Sequence, residues 1–183
     1  MNNNVRRTNI KPGWLSIFII AFLPWLSGCA NGSQPPKPPI KLPFEVQKAG
    51  SKVETEMRIV EEKEYRFSLL FLYKKDDRAD GERVRELAGY SDLDMGGKLL
   101  RPGVQTPLRL KIHVMDSAGD RLLLEQDILE LRTVAAGSGR YTKQVIYMIL
   151  KPGQYRVSVE SLQDVPELIG TPVELQIAFY SKL

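Results

Sequence analysis

From Leu42 onward, apolar side chains recur at every second position in several short runs, the period of a strand with one buried face. Val53, Thr55, Met57 and Ile59 alternate with Glu54, Glu56 and Arg58. In the run Tyr65–Tyr73, the residues Tyr65, Phe67, Leu69, Phe71 and Tyr73 share one face. Leu70 and Leu72 fall on the other, which predicts burial on both sides for the latter half. Leu108, Leu110, Ile112 and Val114 alternate with Arg109, Lys111 and His113. Ser117–Asp120 reads as a turn and Arg121–Leu131 as one or two more strands, so this region predicts a hairpin. Val145–Leu150, Tyr155–Val159 and Val173–Phe179 complete the set. Lys151-Pro152-Gly153-Gln154, with Pro second and Gly third, predicts a type II turn between two of them. About seven to nine short strands with regular turn signals predict an all-β fold, an antiparallel β-sandwich.

One stretch breaks the period. Lys74–Gly103 carries no strand signal; Gly81–Leu87 predicts a short helix, and Gly96-Gly97 and Pro102-Gly103 mark loops. An insertion of this length between strands is either functional or poorly ordered.

The first residues follow a different rule. Arg6, Arg7 and Lys11 form a positive start, Trp14–Trp25 is a mostly apolar run interrupted by Pro24, and Leu26-Ser27-Gly28-Cys29 follows. A membrane-spanning helix needs about 20 apolar residues, so a cleaved signal fits better than an anchor helix. Ala30–Lys41, with Pro35-Pro36 and Pro38-Pro39, predicts an extended spacer able to hold a domain about 30 Å from its attachment point. A proline-rich ligand for an aromatic groove is the sharper alternative. The expected organisation is a signal peptide at 1–28, a tether at 29–41 and a single sandwich domain at 42–183.

The chain has 183 residues, 43% hydrophobic and 26% charged, ordinary values for one globular domain. Its 26 Lys+Arg outnumber its 22 Asp+Glu, but Arg6, Arg7 and Lys11 all precede Cys29 with no acid beside them. The rest is therefore close to neutral, and the basic balance offers no argument for a nucleic-acid partner. One Cys and one His leave no disulfide framework and no Cys-rich zinc site. His113 alternates with apolar residues mid-strand, so it is expected to face solvent or a sheet edge, and no Gly-x-Ser-x-Gly elbow accompanies it. The Asp76–Gly81 run hints at a calcium loop but has Arg78 where an acid or amide belongs and Leu87 in place of the bidentate Glu. No enzyme chemistry and no cofactor are expected, although paired carboxylates in one cleft would reopen a glycosidase reading.

What remains is the mixed-charge loop. Asp76, Asp77, Arg78, Asp80, Arg83, Tyr90, Asp92, Asp94 and Arg101 combine acids, arginines and one tyrosine on a rigid scaffold, a composition suited to a partner-binding surface. The alternative is an ordinary solvated excursion.

Three resemblances add to this. Leu-Ser-Gly-Cys resembles the lipobox of bacterial lipoproteins. It implies that the Cys29 thiol receives a diacylglycerol, that cleavage occurs just before it, and that the new amino terminus is acylated, for instance with palmitate. Two or three chains give stable attachment where one is marginal at ~0.8 kcal/mol per buried methylene. Ala30, rather than Asp, implies by similarity to enterobacterial lipoproteins an outer-membrane anchor with the domain facing the periplasm. Leu150–Val159 resembles the E–F corner of immunoglobulin-like and fibronectin-like domains, which implies that the Tyr155 hydroxyl pins the crossover; a plain core tyrosine is the alternative. Finally, Leu42–Gly50, Tyr65–Leu69, Arg101–Pro107, Leu150–Val157 and Pro166–Pro172, in that order, are similar to an uncharacterised Gram-negative lipoprotein family, a family of domains of unknown function.

The design is also similar to periplasmic immunity proteins. Two expectations follow. In the first, the chain is a non-enzymatic, protein-binding lipoprotein, with a secreted antibacterial effector as the concrete partner. In the second, it is a structural or envelope-maintenance lipoprotein that binds lipid, glycan or an assembly machine.

Overall fold

The computed structural model describes residues 34–90 and 101–179. The leader, Cys29, Asp92 and Asp94 lie outside the described residues.

Among the described residues nine strands form two antiparallel sheets, the sandwich the alternation predicts. They are β1 (Ile40–Pro43), β2 (Lys52–Ile59), β3 (Lys63–Leu72), β4 (Leu108–Asp116), β5 (Gly119–Ile128), β6 (Arg132–Gly137), β7 (Arg140–Leu150), β8 (Gly153–Ser161) and β9 (Val173–Phe179). The first sheet runs β1-β9-β3-β7-β6 and the second β2-β8-β4-β5. This order differs from the four-and-three arrangement of an immunoglobulin constant domain. One helix, α1 (Arg78–Ala88), follows β3, and a short 3-10 turn (Pro166–Leu168) precedes β9. Among the described residues no helix is long and apolar enough to cross a membrane.

The core is the set of alternating positions brought face to face. Tyr65, Phe67, Leu69 and Phe71 from β3, Leu175 and Ile177 from β9, Leu108, Leu110 and Ile112 from β4, and Val157 and Val159 from β8 are all buried in one cluster. Ser68 and Leu70, on the opposite face of β3, are buried too, as its doubly apolar latter half predicts.

Two of the crossovers between sheets, from β2 to β3 and from β7 to β8, lie side by side, since Ile59 pairs with Gly153 in one sheet and Lys63 with Leu150 in the other. Each is pinned by a tyrosine. The Tyr155 hydroxyl donates to the Lys151 carbonyl at 2.8 Å, the corner the sequence implies, and the Tyr65 hydroxyl donates to the Glu61 carbonyl at 3.2 Å. Tyr155→Phe is expected to lower the unfolding free energy by about 1 kcal/mol in urea denaturation, and Tyr65→Phe, whose bond is longer, by less. Equal and negligible effects would show that neither corner holds.

Two local expectations are corrected. The Lys151–Gln154 turn is not type II, because Gly153 is absent from the glycines at positive φ. The chain changes sheet here instead of folding back on its neighbour, so Gly153 is already the first residue of β8. The folded body also starts earlier than residue 42. Ile40 pairs with Ile177 in β1, and the Pro36 carbonyl accepts from the Arg58 N–H at 2.9 Å. The β4–β5 hairpin forms as expected, with the Asp116 carboxylate accepting the Ala118 N–H and Gly119 at φ 115°.

Candidate functional site

The Lys74–Gly103 insertion is built on α1, which is longer than Gly81–Leu87. Asp77 caps it: its carboxylate accepts the Asp80 N–H at 3.0 Å, which starts the helix at Arg78. Asp80 in the first turn accepts the Lys74 N–H at 2.9 Å and is bridged by Arg83 at 2.8 Å. These two contacts, in that order, hold its carboxyl below the usual range. Arg83 also donates to Thr171 Oγ1 at 2.8 Å, tying α1 to the approach to β9. Gly81 lies inside the helix, where an added Cβ would meet the Tyr73 ring at 3.3 Å, so it marks a close approach and not a helix start. Val84 and Ala88 join the main core.

Three carbonyls of the last turn are tied. Gly89, at φ 81°, donates to the Arg85 carbonyl; the Leu87 carbonyl accepts from the Val104 N–H at 2.9 Å; the Ala88 carbonyl accepts from Thr133 Oγ1 at 2.7 Å. Tyr90 N–H donates to the Arg101 carbonyl at 2.7 Å, so the outgoing and returning chains are clasped at Gly89 and Gly103.

Of the nine residues read as a partner surface, the described ones fall into three groups. Asp77, Asp80 and Arg83 are committed to folding the helix and docking it. Arg78 pairs with Glu82 at 2.9 Å on the open face, and Asp76 is exposed beside it. Tyr90 and Arg101 belong to a compact cluster: the Arg85 and Arg101 guanidinium carbons lie 4.3 and 4.9 Å from the Tyr90 ring centre, and the Tyr90 hydroxyl donates to Glu86 at 2.6 Å.

Two clefts share Arg85 and Tyr141 as lining residues. One, of about 310 Å³, runs between Tyr90 and the β6 residues Thr133–Ala136. The other, of about 380 Å³, is bounded by Tyr73, Asp76, Arg78 and Glu82. Tyr73 and Tyr141 stack at 5.4 Å between ring centres, and burial pushes the Tyr141 hydroxyl up.

Sequence reasoning missed Lys143. It is 1% exposed, its Nζ donates to the carbonyls of Pro102 at 3.2 Å and Val104 at 3.1 Å, and it lies 5.7 Å from the Phe71 ring centre. Burial lowers it to about 8. Alternation back from Ile146 and Met148 sends Lys143 outward. The register shift at Phe67/Ser68, where Val145 is the extra residue, turns it inward opposite Leu69. A bulge leaves no local sequence mark.

The outer face of the second sheet carries ion pairs instead of a site. Arg109 pairs with Asp127, Lys111 with Glu125, and Arg156 with Asp120 and Glu56. His113 Nδ1 lies 2.8 Å from Asp120, so the lone histidine faces outward within this lattice, as its alternation predicts. Among the described residues no group of His, Cys, Asp and Glu is placed to hold a metal.

A family model described as a domain of unknown function, DUF5625, matches residues 41–179. The chain belongs to the DUF5625 family. A crystal structure of a Sulfurospirillum deleyianum protein is similar to this DUF5625 chain at 25% identity and a TM-score of 0.66, covering 79% of this chain and 98% of that one. No curated protein matches. The DUF5625 match begins within β1 and ends with β9, so the family unit is the sandwich together with α1 and its clasp.

Proposed function

We propose that this DUF5625 protein is a lipoprotein anchored in the outer membrane through Cys29, and that its sandwich is a non-enzymatic module binding another protein at the α1 end. The observation that carries the binding site is the Tyr90 cluster between two clefts. An aromatic ring with two arginine guanidiniums against it, with Tyr73 and Tyr141 alongside and Asp76, Arg78 and Glu82 at the rim, has the composition of interface hot spots. A secreted antibacterial effector, with this chain as its immunity protein, is the concrete candidate partner.

Two experiments test this reading. Labelled palmitate fed to the producing cells is expected to enter the mature protein and to be absent from Cys29→Ser; equal labelling of both removes the anchor. Asp76→Lys with Arg78→Glu reverses two rim charges without touching the cap or the Arg83 tie, and is expected to weaken a purified partner about tenfold or more. Unchanged affinity would remove the rim from the interface. Reversal of Asp77 or Asp80 is uninformative, since both build the helix.

The envelope-maintenance alternative draws its support elsewhere, from Leu122, Leu123 and Leu129 exposed on and beyond β5, an edge strand. It predicts envelope sensitivity on deletion in the absence of any competitor strain.

A further inference from the structure

The Lys143 ammonium has three N–H donors, and the two partners it has among the described residues are neutral backbone carbonyls. No carboxylate among the described residues lies within ion-pair distance of it, whereas the charges on the outer face of the second sheet include Arg109–Asp127, Lys111–Glu125 and Arg156–Asp120 pairs. A buried cation without a counter-ion is expensive, and burial accordingly depresses its proton affinity. Lys143 lines a cavity of about 460 Å³, within the size range of small-molecule sites, and the two carbonyls that hold its ammonium belong to Pro102 and Val104, which line the same cavity. Pro102, Val104 and Leu131 form apolar walls, and Gln105, Glu130 and Arg132 form the polar lip. This cavity has Pro102 and Val104 in its wall and shares no lining residue with the other two clefts.

We infer that this cavity is a binding site for an organic carboxylate with a short apolar body, the carboxylate seated on Lys143. The geometry selects the ligand. The third ammonium donor and Arg132 at the mouth favour an anion, while Glu130 at the same lip opposes a second negative charge and so favours a monoanion. The apolar walls reward a hydrocarbon body and leave a free inorganic anion without contacts. The bound carboxylate supplies the counter-ion that Lys143 lacks among the described residues, so binding raises its proton affinity. Such a carboxylate comes either from a free fatty acid or from the C-terminus of a peptide.

The site stands apart from the proposed protein-binding function, and its test does not involve the Tyr90 cluster. Octanoate, acetyl-Ala-Leu and acetyl-Ala-Leu-amide are titrated into the full-length protein, with binding read by calorimetry and by the NMR shift of the Lys143 side chain. Saturable binding of octanoate or of the free-acid peptide, with the Lys143 titration moving to higher pH and the amide binding at least about tenfold more weakly, is the expected result. Octanoate alone points to a lipid source, and the peptide acid alone to a C-terminus. Lys143→Met, checked for folding by thermal melting, is expected to abolish binding. Gln105→Trp changes an exposed lip residue, obstructs the mouth without removing the buried amine, and is expected to do the same should Lys143→Met fail to fold. Binding undiminished in a folded Lys143→Met or in Gln105→Trp, or no shift of Lys143 with any of the three probes, overturns the site.

Discussion

Alanine at Gly89 or Gly103 is expected to destabilise the domain by about 4 kcal/mol. Both glycines sit at positive φ, 81° and 70°, where a non-glycine residue costs about 1–3 kcal/mol in backbone strain. The larger effect is spatial. A Cβ on Gly89 would stand 2.4 Å from the Pro102 carbonyl carbon and 2.6 Å from the Arg101 oxygen; one on Gly103 would stand 2.5 Å from the Gly89 nitrogen and the Leu87 oxygen. Every one of these atoms is backbone, so relief requires the two chains to part. Parting them breaks the bonds from Tyr90 N–H to the Arg101 carbonyl and from Val104 N–H to the Leu87 carbonyl, and frees the helix end. Gly50 is the internal control: its φ is 75°, but nothing lies within 4 Å of an added Cβ. Gly50→Ala is expected to show the strain alone, about 1 kcal/mol. Urea denaturation of the three variants separates the cases, and equal losses at 50, 89 and 103 would mean the clasp does not bear on stability.

Stability is also expected to climb with alkaline pH, by about 3 kcal/mol between pH 8 and 10.5 relative to Lys143→Met. In the unfolded chain a lysine keeps its proton up to its ordinary value of 10.5, whereas buried Lys143 releases it near 8. Between those values the unfolded state binds more protons than the native state, so unfolding becomes harder as pH rises. Below pH 8 both states are protonated and the full cost of the buried ammonium is present. Tyr65, Tyr141 and Tyr155, all raised by burial, oppose this above about pH 10 in both proteins, so the difference between wild type and variant isolates the lysine. Chemical denaturation at pH 7.5, 8.5 and 9.5 measures it. A pH-independent difference would mean that water reaches Lys143.

How far the sequence carries depends on how local the cause is. A period of two is local, so the strands around Met57, Phe67, Leu110 and Val157 and the double burial of Leu70 were legible. The tyrosine corner at Tyr155 was also legible, because hydroxyl and acceptor are four residues apart. Its companion at Tyr65 uses the same spacing but has no Pro-Gly mark before it. The shape of the insertion was not legible. Its two glycines meet across the segment between them, and Arg83 finds Thr171 far along the chain. Tyr90 was legible as a candidate because of its type and setting, but its stacking arginine Arg85 was not, since helical phase decides which arginine faces the ring. Asp77 and Asp80 had the right composition for a surface and turned out to be helix-building groups: Asp77, just before the helix, meets an unpaired N–H of its first turn, and Asp80, inside that turn, accepts the Lys74 N–H and bridges Arg83.

The proposed partner surface is the α1 end and not an apolar sheet face. The most direct measurement places a photo-crosslinking residue at Arg78 or at Ile149, which is 65% exposed on the first sheet, in the full-length protein inside the producing cells. One discrete protein adduct is expected from position 78, lost when Arg85→Ala is added, and none from position 149. An adduct from position 149 alone, or one from position 78 that survives Arg85→Ala undiminished, would contradict that assignment.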